Sequence, residues 1–350
     1  MLDLYKSCRL CPRNCGVNRL AGEAGFCGET SALRAGAAVI HRGEEPPLVG
    51  TGGSGTIFIC GCNLRCSFCQ NYQVSHTALA VHTALAVHTA LAGQSGGGSQ
   101  SIGKIVTAGE FADICGLLCD KGAENINIVT GSHAVPRLIE GFDAARNAGI
   151  NLPLLWNCSA YESPQTLELL RDYIDIYLPD LKTLDSGIAN RFFNAPDYPE
   201  TAKAAIFSMI ENIKIKKQGD KTAKYFGSAA SSADIKQKII IRHLILPGCI
   251  DSTREVLRWF ADNAKDYAVL SLMTQYTPVP REAPLEVPGR GRPMPRRFLS
   301  PEEYETVLYW LKEFNIDEGF CQELVTGSDW LPDFTRPNPF SSELSVPVWP

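Results

Sequence analysis

Cys62-Asn63-Leu64-Arg65-Cys66-Ser67-Phe68-Cys69 places three cysteines with three and then two residues between them, and an aromatic just before the last. A short loop of this kind points three thiolates at one metal–sulfur cluster. A cubane of four irons held by three ligands keeps one iron open for a substrate, whereas clusters that only carry electrons usually take four cysteines. The loop follows the apolar run Thr56 to Cys60, which reads as a buried strand. The stretch therefore predicts a catalytic cluster delivered by the end of a strand.

Further along the chain, His76-Thr-Ala-Leu-Ala-Val81 recurs from His82 and again from His88. Its period of six matches neither a helical face nor a heptad. It reads as a tandem duplication in a surface loop, followed by the Gly- and Ser-rich linker Gln94 to Gly103. From Thr107 the pattern becomes regular. Thr107 and Glu110 form a capping box, Phe111, Ile114, Leu117 and Leu118 make an apolar face, and Gly122 ends the helix. Strands are then expected over 125–130, 152–157, 175–180, 239–247 and 268–276. Helices are expected over 135–148, 164–173, 199–213, 252–264 and 301–314, the last opened by a capping box of Ser300 with Glu303. With the strand at Thr56 this gives six strands separated by helices, the signature of a parallel α/β sheet or barrel.

Two stretches interrupt the alternation. Lys214 to Lys238 is polar, lysine-bearing and rich in Ala and Ser, and reads as a solvated loop. Residues 278–297 and the tail after Asp329 are proline-rich and are expected to lack regular structure. The tail aromatics Trp330, Phe334, Phe340 and Trp349 can dock on the body or on a partner.

On the N-terminal side, Gly50-Thr-Gly-Gly-Ser-Gly55 lacks the Gly-Lys-Ser/Thr ending of a phosphate loop and precedes a strand, so it reads as a turn. Cys8, Cys11, Cys15 and Cys27 form a second group, with too few large apolar residues around them to be core. Four thiolates there suit a closed zinc site or a fully ligated iron–sulfur cluster, either one structural or an electron relay. The expected organisation is a cysteine-rich metal-binding segment over 1–49, a catalytic core over 50–325 with inserted loops at 76–103 and 214–238, and a proline-rich tail over 326–350.

The chain has 350 residues, 45% of them hydrophobic, enough for one large core and a smaller attachment. A net charge of −5, from 33 basic and 38 acidic residues, argues against a nucleic-acid or anionic-membrane surface. No apolar run is long enough to span a bilayer, and Met1-Leu2-Asp3-Leu4-Tyr5-Lys6 is not a signal peptide. Thirteen cysteines in such a chain favour metal ligation over disulfides, and the expected location is the cytoplasm.

Ligands of parallel α/β folds bind at the C-terminal ends of the strands. Those ends offer Cys62, Cys66 and Cys69; Thr130-Gly131-Ser132-His133; Asn157-Cys158-Ser159; Asp180-Leu181-Lys182; Arg242 and His243; and Met273, Gln275 and Tyr276.

The Cys-x3-Cys-x2-Cys loop with Phe68 resembles the cluster loop of radical S-adenosylmethionine (radical SAM) enzymes. Asp175-Ile-Tyr-Leu-Pro-Asp-Leu-Lys182 and Ile241-Arg-His-Leu-Ile-Leu-Pro-Gly248 resemble the fourth and fifth strands of pyruvate formate-lyase activating enzymes. The N-terminal cysteines, with Asn194-Ala-Pro-Asp-Tyr-Pro199, are similar to a less characterised branch related to those activases. The resemblance covers roughly residues 8 to 325, and the cysteine loop is its most specific part. It implies a partial (β/α)6 barrel in which Cys62, Cys66 and Cys69 hold a [4Fe-4S] cluster whose free iron chelates S-adenosylmethionine. It further implies reductive cleavage to a 5′-deoxyadenosyl radical, fed by a reductant such as flavodoxin or ferredoxin. Asn157 and Ser159 are placed near the ribose and Arg242 near the methionine carboxylate or adenosine, while Asp180, a candidate cation ligand, and Lys182 line the site.

Two places depart from the family. Its Gly-Gly-Glu after the second strand is replaced by Thr130-Gly131-Ser132-His133, which leaves Thr130 or Ser132 as the acceptor for the methionine amino group and His133 as a candidate facing the substrate. The activase histidine near the sixth strand is replaced by Gln275 and Tyr276. The substrate, a protein, peptide or small molecule, is open. An activase that places a radical on a partner's glycine is one alternative, and a non-catalytic iron–sulfur or zinc electron carrier or scaffold is another.

Overall fold

The structure is a computed structural model and describes residues 1–76, 102–219, 238–280 and 296–349. The hexapeptide repeats after His76, and parts of the expected loops over 214–238 and 278–297, lie outside the described residues.

Parallel strands form the frame. β2 (Ser54–Ile59), β4 (Ile126–Val129), β5 (Leu154–Cys158) and β6 (Ile176–Pro179) pair in that order. β7 (Ile240–Leu244), β8 (Val269–Met273) and β9 (Gly319–Cys321) make a second parallel set. Parallel bridges from Tyr177 to Ile239 and from Asp180 to Arg242 stitch β6 to β7. The six expected strands thus follow one another around a partial barrel, and β9 extends it. No pairing among the described residues joins β9 back to the first edge. The strands are near-continuously buried, as strands covered on both faces must be.

Helices cover the outside: α3 (Ala108–Asp120), α4 (Val135–Asn147), α5 (Pro164–Leu170), α6 (Ser186–Phe193), α7 (Tyr198–Gly219), α8 (Ile250–Asn263) and α9 (Pro301–Glu313). Both expected capping boxes form, Thr107 with Glu110 and Ser300 with Glu303. The α7 helix runs past its expected end at 213 into the lysine-bearing stretch, because Lys216 bonds the carbonyl of Ile174 (2.9 Å) and the carboxylate of Asp175 (2.8 Å).

The other edge differs from expectation. β1 (Leu33–His41) runs antiparallel to β2, and β3 (Lys104–Val106) pairs with its first residues. The tail, expected to be irregular, ends in β10 (Ser345–Trp349), antiparallel to β1. Pro347 is tolerated there because β10 is the outermost strand, where a missing N–H costs no ladder bond.

Residues 43–49 enter the barrel. Leu48, on the short helix α1 (Pro46–Val49), packs with Leu155, Ile176, Leu178 and Ile240, and its carbonyl accepts from Asn125 Nδ2 (2.7 Å). Beside this apolar plug, Glu44 and Glu45 both pair with Arg242, Glu45 Oε1 accepting from its Nε at 2.9 Å.

Candidate active site

A cavity of about 600 Å³ opens at the strand ends, within the range of ligand pockets. Cys62, Cys66 and Cys69 all line it. Their loop is held by its neighbours: buried Asn63 donates from Nδ2 to the carbonyl of Tyr161 (2.6 Å), and Ser67 N–H donates to that of Phe192 (2.8 Å). Phe68, the aromatic of the motif, meets Phe192 and Phe193 edge-on, at 6.1 and 6.3 Å between ring centres. Leu64 N–H points at Cys62 Sγ (3.3 Å), and Cys69 Sγ lies 3.3 Å from Ser75 Oγ. Burial pushes the Cys69 thiol up to about 11 and the Cys66 thiol up as well, the latter opposed by the Lys182 ammonium. Iron binding displaces those protons, so the three thiols fit a cluster by donor type.

Thr130, Asn157, Ser159, Asp180, Lys182, Arg242 and Gln275 line the same cavity. Ser159 Oγ is buried without a hydrogen-bond partner among the described residues, an orphan that suits a polar ligand. Lys182 Nζ donates to Asp180 Oδ2 at 2.8 Å. Burial favours the neutral amine of Lys182, but Asp180, aided by Cys66, outweighs it and raises the pKa. The buried Tyr198 hydroxyl accepts Lys182 N–H (2.9 Å) and lies 2.7 and 3.0 Å from the carbonyls of Asp180 and Ser159, tying two strand ends together.

Two expected roles need correction. His133 is absent from the cavity lining; it is 3% exposed, with Nε2 2.8 Å from the carbonyl of Cys60 and Nδ1 unpartnered. Burial, with the nearby Arg19, lowers its pKa to about 3, so it is a neutral core histidine and does not face a substrate. Arg242 reaches the cavity with its Nε and Nη2 bonded to Glu44 and Glu45, so most of its guanidinium braces the plug instead of facing a methionine carboxylate. Gln275 also has commitments: its Oε1 accepts from Gln322 Nε2 (2.6 Å) and its carbonyl from Gln70 Nε2 (2.7 Å).

The sequence reading missed His41, Glu44, Glu45 and Cys321 in the wall, and left open whether Trp330 and Phe340 dock on the body, where they line it too. Trp330 lies so flat on residue 43 that a Cβ there would sit 2.7 Å from its ring, which requires glycine. Phe340 meets His41 edge-on at 4.9 Å. Gly43 N–H donates to His41 Nδ1 (3.2 Å), and burial lowers the pKa of that imidazole. Nothing in the run Glu44-Glu45-Pro46-Pro47 indicates that it turns into the barrel.

The N-terminal cysteines lie elsewhere. Cys8, Cys11 and Cys27 are buried and Cys15 is half-buried, and none lines the cavity. They sit close together: burial raises the Cys11 thiol, and Cys27, Cys15 and Cys8 each push it further. Among the described residues no three His, Cys, Asp or Glu side chains are drawn together tightly enough to hold one metal ion. Buried Arg19 bonds the carbonyls of Glu29, Thr30 and His133 and fastens the segment to the core. No helix among the described residues is long and apolar enough to cross a membrane.

Residues 56–218 match the radical SAM superfamily. The chain is 27% identical over 315 residues to an uncharacterised protein, MJ0674, of Methanocaldococcus jannaschii, covering 90% of this chain and 77% of that one. It is also similar to Streptococcus suis SuiB, solved with S-adenosylmethionine bound, at 14% identity and a TM-score of 0.39; the match covers 75% of this chain and 45% of SuiB. The cysteine loop and four of the six expected strands fall inside the family match, which gives residues 56–218 as a radical SAM domain.

Proposed function

We propose that this chain is an enzyme that binds a [4Fe-4S] cluster at Cys62, Cys66 and Cys69 and reductively cleaves S-adenosylmethionine to act on a protein, peptide or small-molecule substrate. One observation carries the reading: all three thiols of one short loop line a single cavity large enough for a ligand, to which β9 adds Cys321. When bound, the cluster and S-adenosylmethionine supply one-electron cleavage of a sulfonium to a 5′-deoxyadenosyl radical. In this reading Asn157 and the orphan hydroxyl of Ser159 hold the ribose, and Thr130 accepts from the methionine amino group. Lys182, neutralised on one side by Asp180, places positive charge beside Cys66. The aromatic wall of Trp330 and Phe340 keeps water from the reacting atoms. We further assign to Cys8, Cys11, Cys15 and Cys27 a second metal centre, whose four ligands leave no position for chemistry.

The test is anaerobic reconstitution, reduction with dithionite, and measurement of 5′-deoxyadenosine and methionine. Wild type forms both, and replacing any of Cys62, Cys66 or Cys69 by Ala stops it. Cleavage that survives those substitutions sinks the assignment.

A further inference from the structure

The charges facing the cavity do not cancel. Glu44, Glu45 and Asp180 line it against Lys182 and Arg242, three carboxylates to two cations, and burial keeps the lining imidazole of His41 neutral. The pairings show which charge is left over. Lys182 Nζ donates to Asp180 Oδ2 at 2.8 Å and closes one pair. Glu45 grips Arg242 with both carboxylate oxygens, one on Nε and the other on Nη2, and closes the second. Glu44 keeps only a share of that Nη2 and the neutral amide of Asn127, which donates to its Oε1 at 2.9 Å. Its side chain is 10% exposed, so water screens the extra charge poorly. A buried charge without a counter-charge is costly, and a cation arriving in the cavity relieves that cost.

Aromatic rings stand beside this carboxylate. Trp330 lies against residue 43, the chain neighbour of Glu44, while Phe340 meets the His41 ring at 4.9 Å and the Phe58 ring at 5.7 Å. A carboxylate and ring faces on one wall suit an organic cation, which is drawn by both. A metal ion suits them less, because Arg242 and Asn127 already occupy the oxygens of Glu44 and Glu45 and the rings offer no lone pairs. S-adenosylmethionine does not supply the missing charge either. Its amino and carboxylate groups cancel, and its sulfonium answers the net negative charge of an oxidised [4Fe-4S] cluster held by three thiolates.

We infer that the substrate carries an alkylammonium group, which binds with its positive head at Glu44 and its aliphatic stem along Trp330 and Phe340. This rests on the proposal that the cavity is the substrate chamber, and it makes Glu44 the residue that selects for charge. The same head can belong to a lysine side chain of a peptide or to a free amine.

The experiment is anaerobic calorimetry on the reconstituted protein with S-adenosylmethionine, near neutral pH where an alkylamine is protonated. The probes are 1-aminopentane, 1-pentanol and pentanoate, which share a stem and differ in charge. Wild type should bind the amine about tenfold or more tightly than either of the others. Glu44→Gln, which leaves Arg242 its two bonds to Glu45, should erase that preference while the alcohol's affinity stays within about twofold. Trp330→Leu should weaken the amine about fivefold. A capped tripeptide with a central lysine, run against its norleucine counterpart, separates the sources: preference for the lysine peptide places the head on a peptide, and preference for the free amine alone places it on a small molecule. A wild type that binds all three pentyl probes alike overturns the inference without recourse to any variant, as does a Glu44→Gln that keeps the preference. Measuring 5′-deoxyadenosine on the same preparations keeps the two proposals apart. Cleavage without an amine preference overturns the ammonium head alone, and an amine preference without cleavage overturns the proposed chemistry alone.

Discussion

The two cysteine groups differ in what surrounds their sulfurs. Cys62, Cys66 and Cys69 open onto a cavity walled by strand ends, residues 43–46 and tail aromatics, whereas Cys8, Cys11, Cys15 and Cys27 do not line it. The cavity receives the three thiols of one short loop, while the four N-terminal thiols stay away from it. The comparison teaches that a cysteine motif gains its chemical meaning from the space next to it as much as from its spacing.

The comparison can be broken most sharply at the sulfurs. Cys66→Ala should abolish 5′-deoxyadenosine formation with any reductant, whereas Cys15→Ala should retain it with dithionite. Equal loss in both would remove the distinction.

The next largest effect concerns the charged brace. Truncating Glu45 leaves the buried Arg242 with only Glu44, and breaking a buried pair in this way costs about 3 kcal/mol. Glu45→Ala should therefore lower the denaturant midpoint of the reconstituted protein well beyond a surface control such as Glu305→Ala.

Glu162 gives a pH test. Fully buried beside Ser132, whose hydroxyl donates to it, it has its pKa raised by burial to about 7, from 4.5 when solvated. The folded state thus binds a proton that the unfolded chain has released, so wild type loses stability as pH rises from about 4.5 to 7. Glu162→Gln should flatten that decline and be the more stable form at pH 8 by about 2–3 kcal/mol. Parallel thermal melts of the two proteins from pH 5 to 8 check it. A constant gap would assign the pH dependence to other groups.

The smallest effect separates the cavity from the N-terminal segment. Ser159→Ala should weaken S-adenosylmethionine binding about fivefold, the order of one hydrogen bond, and leave iron content unchanged. Arg13→Ala, which removes bonds to the carbonyls of Asn63, Phe193 and Asn194, should do the reverse, loosening the N-terminal segment with little change in that affinity. Anaerobic calorimetry with iron counting reads both.

Much of this was legible because the signals were local. The capping boxes at Thr107 and Ser300, the apolar strands and the cysteine spacing each depend on residues a few positions apart, and each forms where the pattern puts it. What escaped was set by distance along the chain. β1 is rich in Ala and Gly, so it carries no strong strand pattern and is made a strand by β2 and β10 on either side. Glu44 and Glu45 find Arg242 nearly 200 positions away, and Trp330 finds Gly43 across a larger gap. His133 shows the converse: it follows a strand end yet turns inward to the carbonyl of Cys60, a direction no spacing rule specifies.

The pairing of β10 with β1 has a consequence for the order of synthesis. His41 leaves the ribosome roughly 300 residues before Trp349, a delay of about 15 to 60 s at ordinary elongation rates. Throughout that interval β1 lacks its outer neighbour, and Trp330 and Phe340 are not yet there to close the wall. The cysteine loop follows His41 within about 30 residues, and the last parallel strand, β9, ends at Cys321, before the tail aromatics emerge. The nascent protein therefore passes through a stage in which Cys62, Cys66 and Cys69 can be reached from the side that the tail later seals, a window for loading iron and sulfide before the chamber closes.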